Sequence, residues 1–272
     1  MPLHFSISPD ELWPKVGTAD TPLIVDVRKS EAVASSSGLL PGAILRDLHD
    51  AKSWDFDADS GTIVVACVHG HQRSQMAAAL LRARGIDACI LDGGYDAWQA
   101  LGLPLTDRVA VQRFVPDRPS LWVTRRRPKI DRIACPWLIR RFIDPQARFL
   151  FVDPPQVPEV ARETGAVPFD IENVELSHEG ERCSFDTILK LFGLEGEPSL
   201  ARLALIVRGA DTARPDLAPE AAGLHAVSLG LSELAGDDDH GLLERGFAVY
   251  DALFAWLRFA SSERHNWPAK VS

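Results

Sequence analysis

Short apolar runs alternate with helical patterns through the first hundred residues. The runs that predict strands lie at residues 23–27, near Ile44, at 63–66 and at 88–91. Helical patterns follow the last two runs, at residues 74–84 and 95–101. Runs without regular polar alternation are typical of strands covered on both faces, and strands that alternate with helices favour a parallel sheet. The pattern therefore predicts an α/β domain with a mostly parallel sheet.

The pattern changes between residues 107 and 120. There the hydrophobic periodicity fades, and charged residues and prolines accumulate as in an interdomain connection. Beyond this stretch, apolar positions recur at helical spacing in residues 185–194, 200–208 and 242–257. The sequence therefore predicts three parts, which are an α/β domain over residues 1–106, a linker over residues 107–120 and a mainly α-helical domain over residues 121–265.

Composition limits the location and the partners of the protein. The 272 residues are 46% hydrophobic and carry a formal net charge of −9, which argues against nucleic acid and anionic lipid as partners. No apolar run approaches the roughly 20 residues of a membrane span. The first residues also lack the basic and apolar regions of a signal peptide. We therefore expect a cytoplasmic protein without a membrane partner.

One basic stretch, residues 125–141, runs against this charge balance because it holds seven arginines and lysines. Aromatic residues between them make a nucleic-acid surface one interpretation. Ile133, Trp137 and Leu138 lie at helical spacing, so a buried helix with a charged outer face is the other interpretation. Both interpretations stay open at this point.

Pro136 allows two helix geometries in the same stretch. Proline fits the first position of a helix, in which case Cys135 lies just before a helix N-terminus and is a candidate reactive or metal-binding thiol. Alternatively, a kinked helix runs from Ile130 and places Asp131 and Cys135, four residues apart, on one face. Either geometry brings a carboxylate and a sulfur atom close together.

The first candidate for chemistry is the segment CVHGHQR, residues 67–73, between an apolar run and a helical pattern. The backbone N–H groups of such a loop and the helix N-terminus favour an anion, and so favour a thiolate at Cys67. Arg73 can bind an oxyanion through two nitrogen atoms. Cys67 and Arg73 are thus candidate catalytic residues, and a buried cysteine at a strand end is the alternative. The candidate anion-binding loop comprises Val68, His69, Gly70, His71 and Gln72.

The first half of the chain resembles the rhodanese family of sulfurtransferases. The motifs that carry the resemblance are DVR at residues 26–28, LPGA at 40–43, CVHG at 67–70 and LDGGYDAWQALGLPL at 91–105. The resemblance implies that Cys67 takes up sulfane sulfur as a persulfide and passes it to a thiol acceptor. The implied partners are a sulfane-sulfur donor or small oxyanion and a thiol acceptor, and this domain requires no cofactor.

The loop departs from the common rhodanese pattern by one residue. Rhodaneses usually have arginine five residues after the cysteine, whereas Arg73 lies six residues after Cys67. The Cys-x5-Arg spacing resembles that of rhodanese-fold dual-specificity phosphatases and related arsenate reductases. A thiol-dependent reductase of arsenate or chromate is therefore an alternative, and thiosulfate is a provisional substrate. The loop offers no evident acid for a leaving alcohol, which disfavours a phosphatase.

The second half resembles the C-terminal domain of the chromate-resistance family called ChrB. The matching segments are TRRRPKIDRIACPWLIRRFIDP at residues 124–145, PFDI at 168–171, SHEGERCSFD at 177–186, LIVRGADT at 205–212, AAGLHAVSLGL at 221–231 and DDDHGLLERGFAVYDALFAWL at 237–257. The resemblance implies a role in resistance to chromate. A chromate-sensing regulatory protein without turnover is therefore a further alternative to the sulfurtransferase.

Polar residues that helix capping does not explain form a second candidate site. We hypothesise one divalent metal or oxyanion site built from Asp131, His178 and Asp211, with Cys135 or Cys183 nearby. Carboxylates with a histidine suit Mn, Fe or Zn, and thiols favour Zn or Fe. The alternative is that these groups cap helices and bridge loops.

Overall fold

The computed structural model describes residues 5–116 and 118–263. Residues 1–4 of the predicted first domain, Asp117 of the predicted linker and residues 264–265 of the predicted second domain lie outside the described residues. The strands are β1 (Ser6–Ile7), β2 (Leu23–Asp26), β3 (Ile44–Leu45), β4 (Ile63–Ala66), β5 (Ala88–Leu91), β6 (Leu121–Arg125), β7 (Arg148–Val152) and β8 (Val167–Pro168). The α-helices are α1 (Pro9–Leu12), α2 (Ser30–Ala34), α3 (Gln72–Ala83), α4 (Gly94–Ala100), α5 (Arg108–Phe114), α6 (Asp131–Leu138), α7 (Val157–Thr164), α8 (Ser184–Leu191), α9 (Pro198–Asp211), α10 (Ala221–Ala235) and α11 (Asp239–Ala255). Two π-helical segments, Ile139–Ile143 and Trp256–Ala260, continue α6 and α11.

The first half of the chain forms a parallel sheet of five strands in the order β1-β5-β4-β2-β3. Strand β4 is central, and all four of its residues are buried, which explains why its sequence has no polar position. The α/β domain with a mostly parallel sheet is therefore confirmed. The two-residue strand β1 is too short to produce a readable pattern.

The second half is mainly α-helical, as predicted, but it also contains a small parallel sheet in the order β7-β6-β8. The apolar side chains of the basic stretch, Ile133, Trp137 and Leu138, lie on α6 and are buried. The interpretation of this stretch as a buried core helix is therefore confirmed, whereas its relation to nucleic acid stays a prediction. Within the described residues, no helix has both the length and the apolar character needed to cross a bilayer.

Helix α5 occupies the stretch that composition predicts to be a linker. Asp107 caps this helix by accepting a hydrogen bond from Ala110 N at 2.8 Å. Ala110 and Val111 are buried, and Asp107 N donates to the carbonyl of Phe192 at 2.9 Å. The stretch therefore packs on the core instead of forming a bare connection, and its seven-residue helix is too short for its periodicity to be read. The exact limits of the two domains stay a prediction.

Phe142 lies where the two halves of the chain meet. Its carbonyl accepts a hydrogen bond from Gly42 N at 2.6 Å. Its ring lies 5.6 Å from that of Phe254 and packs so closely on Gly17 that a side chain at residue 17 would overlap it. Apolar residues of both halves form one contiguous core. The two predicted domains are therefore joined by packed apolar side chains as well as by the chain.

Candidate active site and polar cluster

Cys67 directly follows the central strand β4 and lies at the carboxyl end of the parallel sheet. Helix α3 begins five residues later, at Gln72. The cysteine is only 5% exposed, whereas His69 and His71 on the same loop are exposed. In open α/β sheets, ligands bind at the carboxyl ends of the strands. Cys67 lies at this edge of the sheet, before the N-terminus of a helix, and is therefore in the usual position of a ligand site.

Backbone contacts with the β5–α4 turn fix the shape of this loop. Gly70 has φ +71°, and a Cβ there would lie 2.7 Å from the carbonyl of Leu91. A Cβ at Gly94 would overlap the carbonyl oxygen of Cys67. That same carbonyl accepts a hydrogen bond from Tyr95 N at 2.9 Å. Glycine is required at both positions because the two backbones touch.

The surroundings of the sulfur atom favour its ionised form. Ser74 Oγ lies 3.2 Å from Cys67 Sγ and 3.1 Å from the carbonyl of His71. Burial alone would raise the pKa of Cys67, but hydrogen bonds from the Ser74 side chain and from the backbone N–H groups of Ser74, His71 and His69 outweigh it and lower the pKa. Ser74 therefore belongs to the site, although the sequence analysis assigned it no role.

A hydrogen bond holds Arg73 at the end of β2. It is the second residue of α3, and its Nε donates to the carbonyl of Val27, directly after β2, at 2.7 Å. It lines a cavity of about 520 Å³ together with Arg28 and Arg46, and Cys67 does not line this cavity. The role of Arg73 as an oxyanion ligand for Cys67 stays a prediction.

The remaining loop residues differ in exposure. Val68 is half-buried, Gly70 is buried and Gln72 is exposed. The imidazole of His69 is exposed, and its Nδ1 lies 2.9 Å from Oδ2 of Asp96 on α4. The loop therefore presents polar side chains to solvent, while its backbone N–H groups face the sulfur.

Removal of the Ser74 hydroxyl is expected to raise the pKa of Cys67, because this hydroxyl stabilises the thiolate. In Ser74→Ala, the midpoint of the alkylation rate of Cys67 plotted against pH should move upwards. At neutral pH the rate should fall roughly threefold to tenfold, as for the loss of one hydrogen bond. Peptide mass spectrometry after iodoacetamide treatment measures this rate. Ser232→Ala, at a buried serine of α10, is the control, and identical profiles for both variants would contradict the role of Ser74.

A second polar site lies in the other half of the chain, where residues from four segments meet. Asp131 is the first residue of α6, Asp170 follows β8, His178 lies in the loop before α8 and Asp211 is the last residue of α9. His178 Nε2 lies 3.4 Å from Asp131 Oδ2, 3.5 Å from Asp170 Oδ1 and 3.3 Å from Asp211 Oδ2. The structure therefore brings the three predicted residues together and adds Asp170. These four residues are called the polar cluster below.

Asp170 is the member that the sequence analysis did not place in the site. Its backbone has φ +52°, which non-glycine residues rarely adopt. Its Oδ2 accepts a hydrogen bond from Arg125 Nη2 at 2.7 Å and lies 3.2 Å from Arg132 Nε. Its Oδ1 accepts one from Ser184 Oγ at 2.9 Å. In the sequence, Asp170 is a polar residue that helix capping does not explain, and it lies directly after an apolar segment in the PFDI motif.

The pKa values of all four residues in the polar cluster differ from their ordinary values. Hydrogen bonds to Asp131 and Asp170 raise the pKa of His178 to about 10. Burial and the neighbouring Asp131 raise the pKa of Asp211 to about 8, and burial raises that of Asp131. Burial also opposes ionisation of Asp170, but hydrogen bonds from His178 and Arg125 outweigh it and lower the pKa. Neighbouring carboxyl groups shifted in opposite directions are typical of functional sites.

The two cysteines of this half lie near the polar cluster, since the carboxyl groups of Asp131 and Asp211 help to raise the pKa of both thiols. Cys135 is fully buried in α6, and Pro136 lies inside that helix, so the geometry with a helix from the Ile130 region is the correct one. Cys183 precedes α8, and its Sγ donates to Asp186 Oδ2 at 3.4 Å. Burial raises the pKa of both thiols well above the ordinary value. The prediction of Cys135 as a reactive thiol near a helix N-terminus is therefore wrong.

Comparison with known proteins gives separate matches for the two halves. The family model of the ChrB C-terminal domain matches residues 122–257, and that of the rhodanese-like domain matches residues 8–101. Protein ChrB of Cupriavidus metallidurans is 41% identical over 134 residues, which cover 49% of this chain and 39% of that protein. The thiosulfate sulfurtransferase GlpE of Pseudomonas putida is 38% identical over 81 residues, which cover 29% of this chain and 70% of that protein.

Among solved structures, a rhodanese-like domain protein from Staphylococcus aureus is 33% identical to this chain. The alignment covers 37% of this chain and 96% of that one, with a TM-score of 0.32. The chain spans less than half of the length of the ChrB relative and more than two thirds of the GlpE relative.

Proposed function

Because the chain belongs to the family defined by the ChrB C-terminal domain and also carries a rhodanese-like domain, we propose that it is a chromate-resistance protein that transfers sulfur through a persulfide on Cys67. The observation that supports this proposal is the hydrogen bonding around Cys67 Sγ, which lowers the pKa of the thiol. A cysteine that ionises more readily is a stronger nucleophile at neutral pH.

The first step is the transfer of sulfur from a sulfane donor, for which thiosulfate is the test substrate. The Cys67 thiolate attacks the outer sulfur atom, a new S–S bond forms, and the S–S bond of thiosulfate breaks. Sulfite leaves with the bonding electron pair. The negative charge moves onto the outer sulfur of the persulfide, and the loop N–H groups and the Ser74 hydroxyl hydrogen-bond the sulfur end of Cys67 throughout.

The second step returns Cys67 to its starting state. A thiolate or cyanide attacks the outer sulfur of the persulfide, and the bond between this sulfur and Cys67 Sγ breaks. The electron pair of that bond stays on Sγ, which restores the thiolate. The acceptor gains one sulfur atom, as a persulfide or as thiocyanate, so the cycle needs no metal, proton or added reductant.

We prefer sulfur transfer to oxyanion reduction by the same loop, and one contact supports this preference. A Cys-x5-Arg reductase needs the arginine to bind the oxyanion beside the thiolate. Here Arg73 Nε donates to the carbonyl of Val27, and the donors around Cys67 Sγ are Ser74 and backbone N–H groups. A regulatory role without turnover is the other alternative, and it requires no persulfide at all.

Intact mass spectrometry after treatment with thiosulfate tests the proposal. We expect the wild type and Cys89→Ser to gain one sulfur atom and Cys67→Ser to gain none, and cyanide should remove the added sulfur as thiocyanate. Cys89 is a matched control because it is a buried cysteine of the same sheet, where burial raises its pKa to about 11. A wild type that gains no sulfur, or a Cys67→Ser protein that gains as much, would refute persulfide formation at Cys67 from this donor.

A further inference from the structure

One ligand atom each of Asp131, Asp170 and His178 lie within 4.8 Å of one another, which is close enough for the three to hold one ion. His178 Nε2 lies 3.3 to 3.5 Å from one oxygen atom of each of the three aspartates. These distances are longer than the roughly 2.7–2.9 Å of a strong charge-assisted hydrogen bond, so the hydrogen bonds of His178 to these carboxylates are weak and shared. Ligand atoms about 2.1 Å from one ion in a tetrahedral arrangement are about 3.4 Å apart.

Asp131 provides an independent indication that a cation belongs there. Its side chain is only 3% exposed, and among the described residues its Oδ2 has no partner at ordinary hydrogen-bond geometry, with His178 Nε2 at 3.4 Å. This oxygen is the atom that faces His178 Nε2. A buried carboxylate oxygen without a donor is costly unless a cation offsets its charge. The unpartnered atom therefore points into the cluster, where an ion would meet it.

The residues around Asp170 hold one of its oxygens ready for an ion. Arg125 and Arg132 contact Oδ2, while Oδ1 faces His178 and accepts a hydrogen bond from Ser184. Contacts of this kind orient a ligating carboxylate in many metal sites. The site is also reachable, because the His178 side chain is 42% exposed above two aspartates that are almost fully buried.

From these observations we propose that Asp131, Asp170 and His178 bind one divalent first-row transition metal ion, with Asp211 beside His178. Two carboxylate oxygens and one imidazole nitrogen form a donor set that suits Mn²⁺ or Fe²⁺, with Zn²⁺ as a strong competitor. The unpartnered atom in the cluster is a carboxylate oxygen, which attracts a cation and repels an oxyanion, so a cation is the ligand of this cluster. This site is independent of the sulfur chemistry at Cys67.

Electron paramagnetic resonance of Mn²⁺ measures the binding directly. Full-length protein is freed of metal with a chelator and titrated with Mn²⁺, whose six-line signal in water disappears on binding. We expect one equivalent to bind to the wild type and to be displaced by one equivalent of Zn²⁺. The absence of both Mn²⁺ and Zn²⁺ binding in folded wild-type protein would overturn the proposal.

Substitutions locate the ion. His178→Gln and Asp170→Asn should weaken binding by more than about 100-fold, because they remove ligands. Ser184→Ala should weaken it by about 10- to 100-fold, as is typical of a residue that orients a ligand. The exposed residues His225 and Asp237 provide matched controls, since His225→Gln and Asp237→Asn should bind Mn²⁺ as the wild type does. Wild-type affinity in the ligand variants would overturn the proposal.

Asp131→Asn separates loss of the ion from loss of the fold. Asparagine has nearly the same shape as aspartate and removes a buried charge, so the metal-free variant should melt at or above the wild-type temperature while it no longer binds Mn²⁺. Thermal denaturation followed by circular dichroism measures this. If Asp131→Asn binds Mn²⁺ with wild-type affinity, Asp131 is not a ligand and the proposed site is wrong.

Discussion

Replacement of Cys67 by serine is expected to lower sulfur transfer from thiosulfate to cyanide by roughly 10³-fold or more, because it removes the nucleophile. The serine hydroxyl fits beside Ser74 and the loop N–H groups but stays protonated at neutral pH, and so it does not attack the donor. The measurement is kcat/KM for thiocyanate formation under steady-state conditions. The fold should be unchanged, since the substitution replaces one sulfur atom by oxygen at the end of β4.

The matched variant Cys89→Ser is expected to keep most of the wild-type activity. Cys89 lies on β5, and its raised pKa keeps it protonated at neutral pH. Equal activity of the Cys67 and Cys89 variants would show that Cys67 is not the nucleophile. If the wild type itself is inactive, sulfur transfer from this donor is refuted, and a DNA gel-shift assay with and without chromate then tests the regulatory alternative.

Phe142→Ala is expected to reduce the free energy of unfolding by about 3–5 kcal/mol, which is the usual cost of removing a buried phenylalanine. The ring is fully buried, lies 5.8 Å from the ring of Trp137 and 5.6 Å from that of Phe254, and packs on Gly17 of the other half. Its removal leaves a cavity in the core that both halves share. Urea unfolding followed by circular dichroism measures the loss.

The same titration tests whether the two halves depend on each other. Circular dichroism reports mainly the helical second half, and residual sulfur transfer reports the first half. Both midpoints should move to lower urea in Phe142→Ala. Phe259→Ala is the control, because that ring is 58% exposed and its removal should change stability by less than about 0.5 kcal/mol. A loss below 1 kcal/mol in Phe142→Ala would contradict a shared core at this position.

Local patterns in the sequence were sufficient to predict much of the fold. The apolar runs at residues 63–66 and 88–91 coincide with β4 and β5, because a strand buried on both faces has no polar position along its own length. The helical spacing at residues 242–257 likewise lies within α11 and its π-helical continuation. The small sheet of β6, β7 and β8 was missed, because its strands are short and only partly buried.

For the two candidate sites, the sequence predicted the contacts between neighbours in the chain but not the contacts between distant segments. The sequence by itself determined that Cys67 lies between a buried strand and a helix, since those neighbours are contiguous in the chain. The position of Arg73 was decided by tertiary structure, because the carbonyl that its Nε contacts belongs to Val27, on another segment. The loop length alone does not reveal this contact.

The composition of the polar cluster was the feature that the sequence predicted least completely, because its residues come from distant segments of the chain. Asp131, His178 and Asp211 were selected as polar residues without a capping role, but spacing along the chain does not report which side chains meet. Asp170 reaches His178 because its place after β8 and its own positive φ bring it there. Periodicity records which residues of one element are buried, whereas a site is built by the packing of several elements, and only the folded chain shows which of their side chains meet.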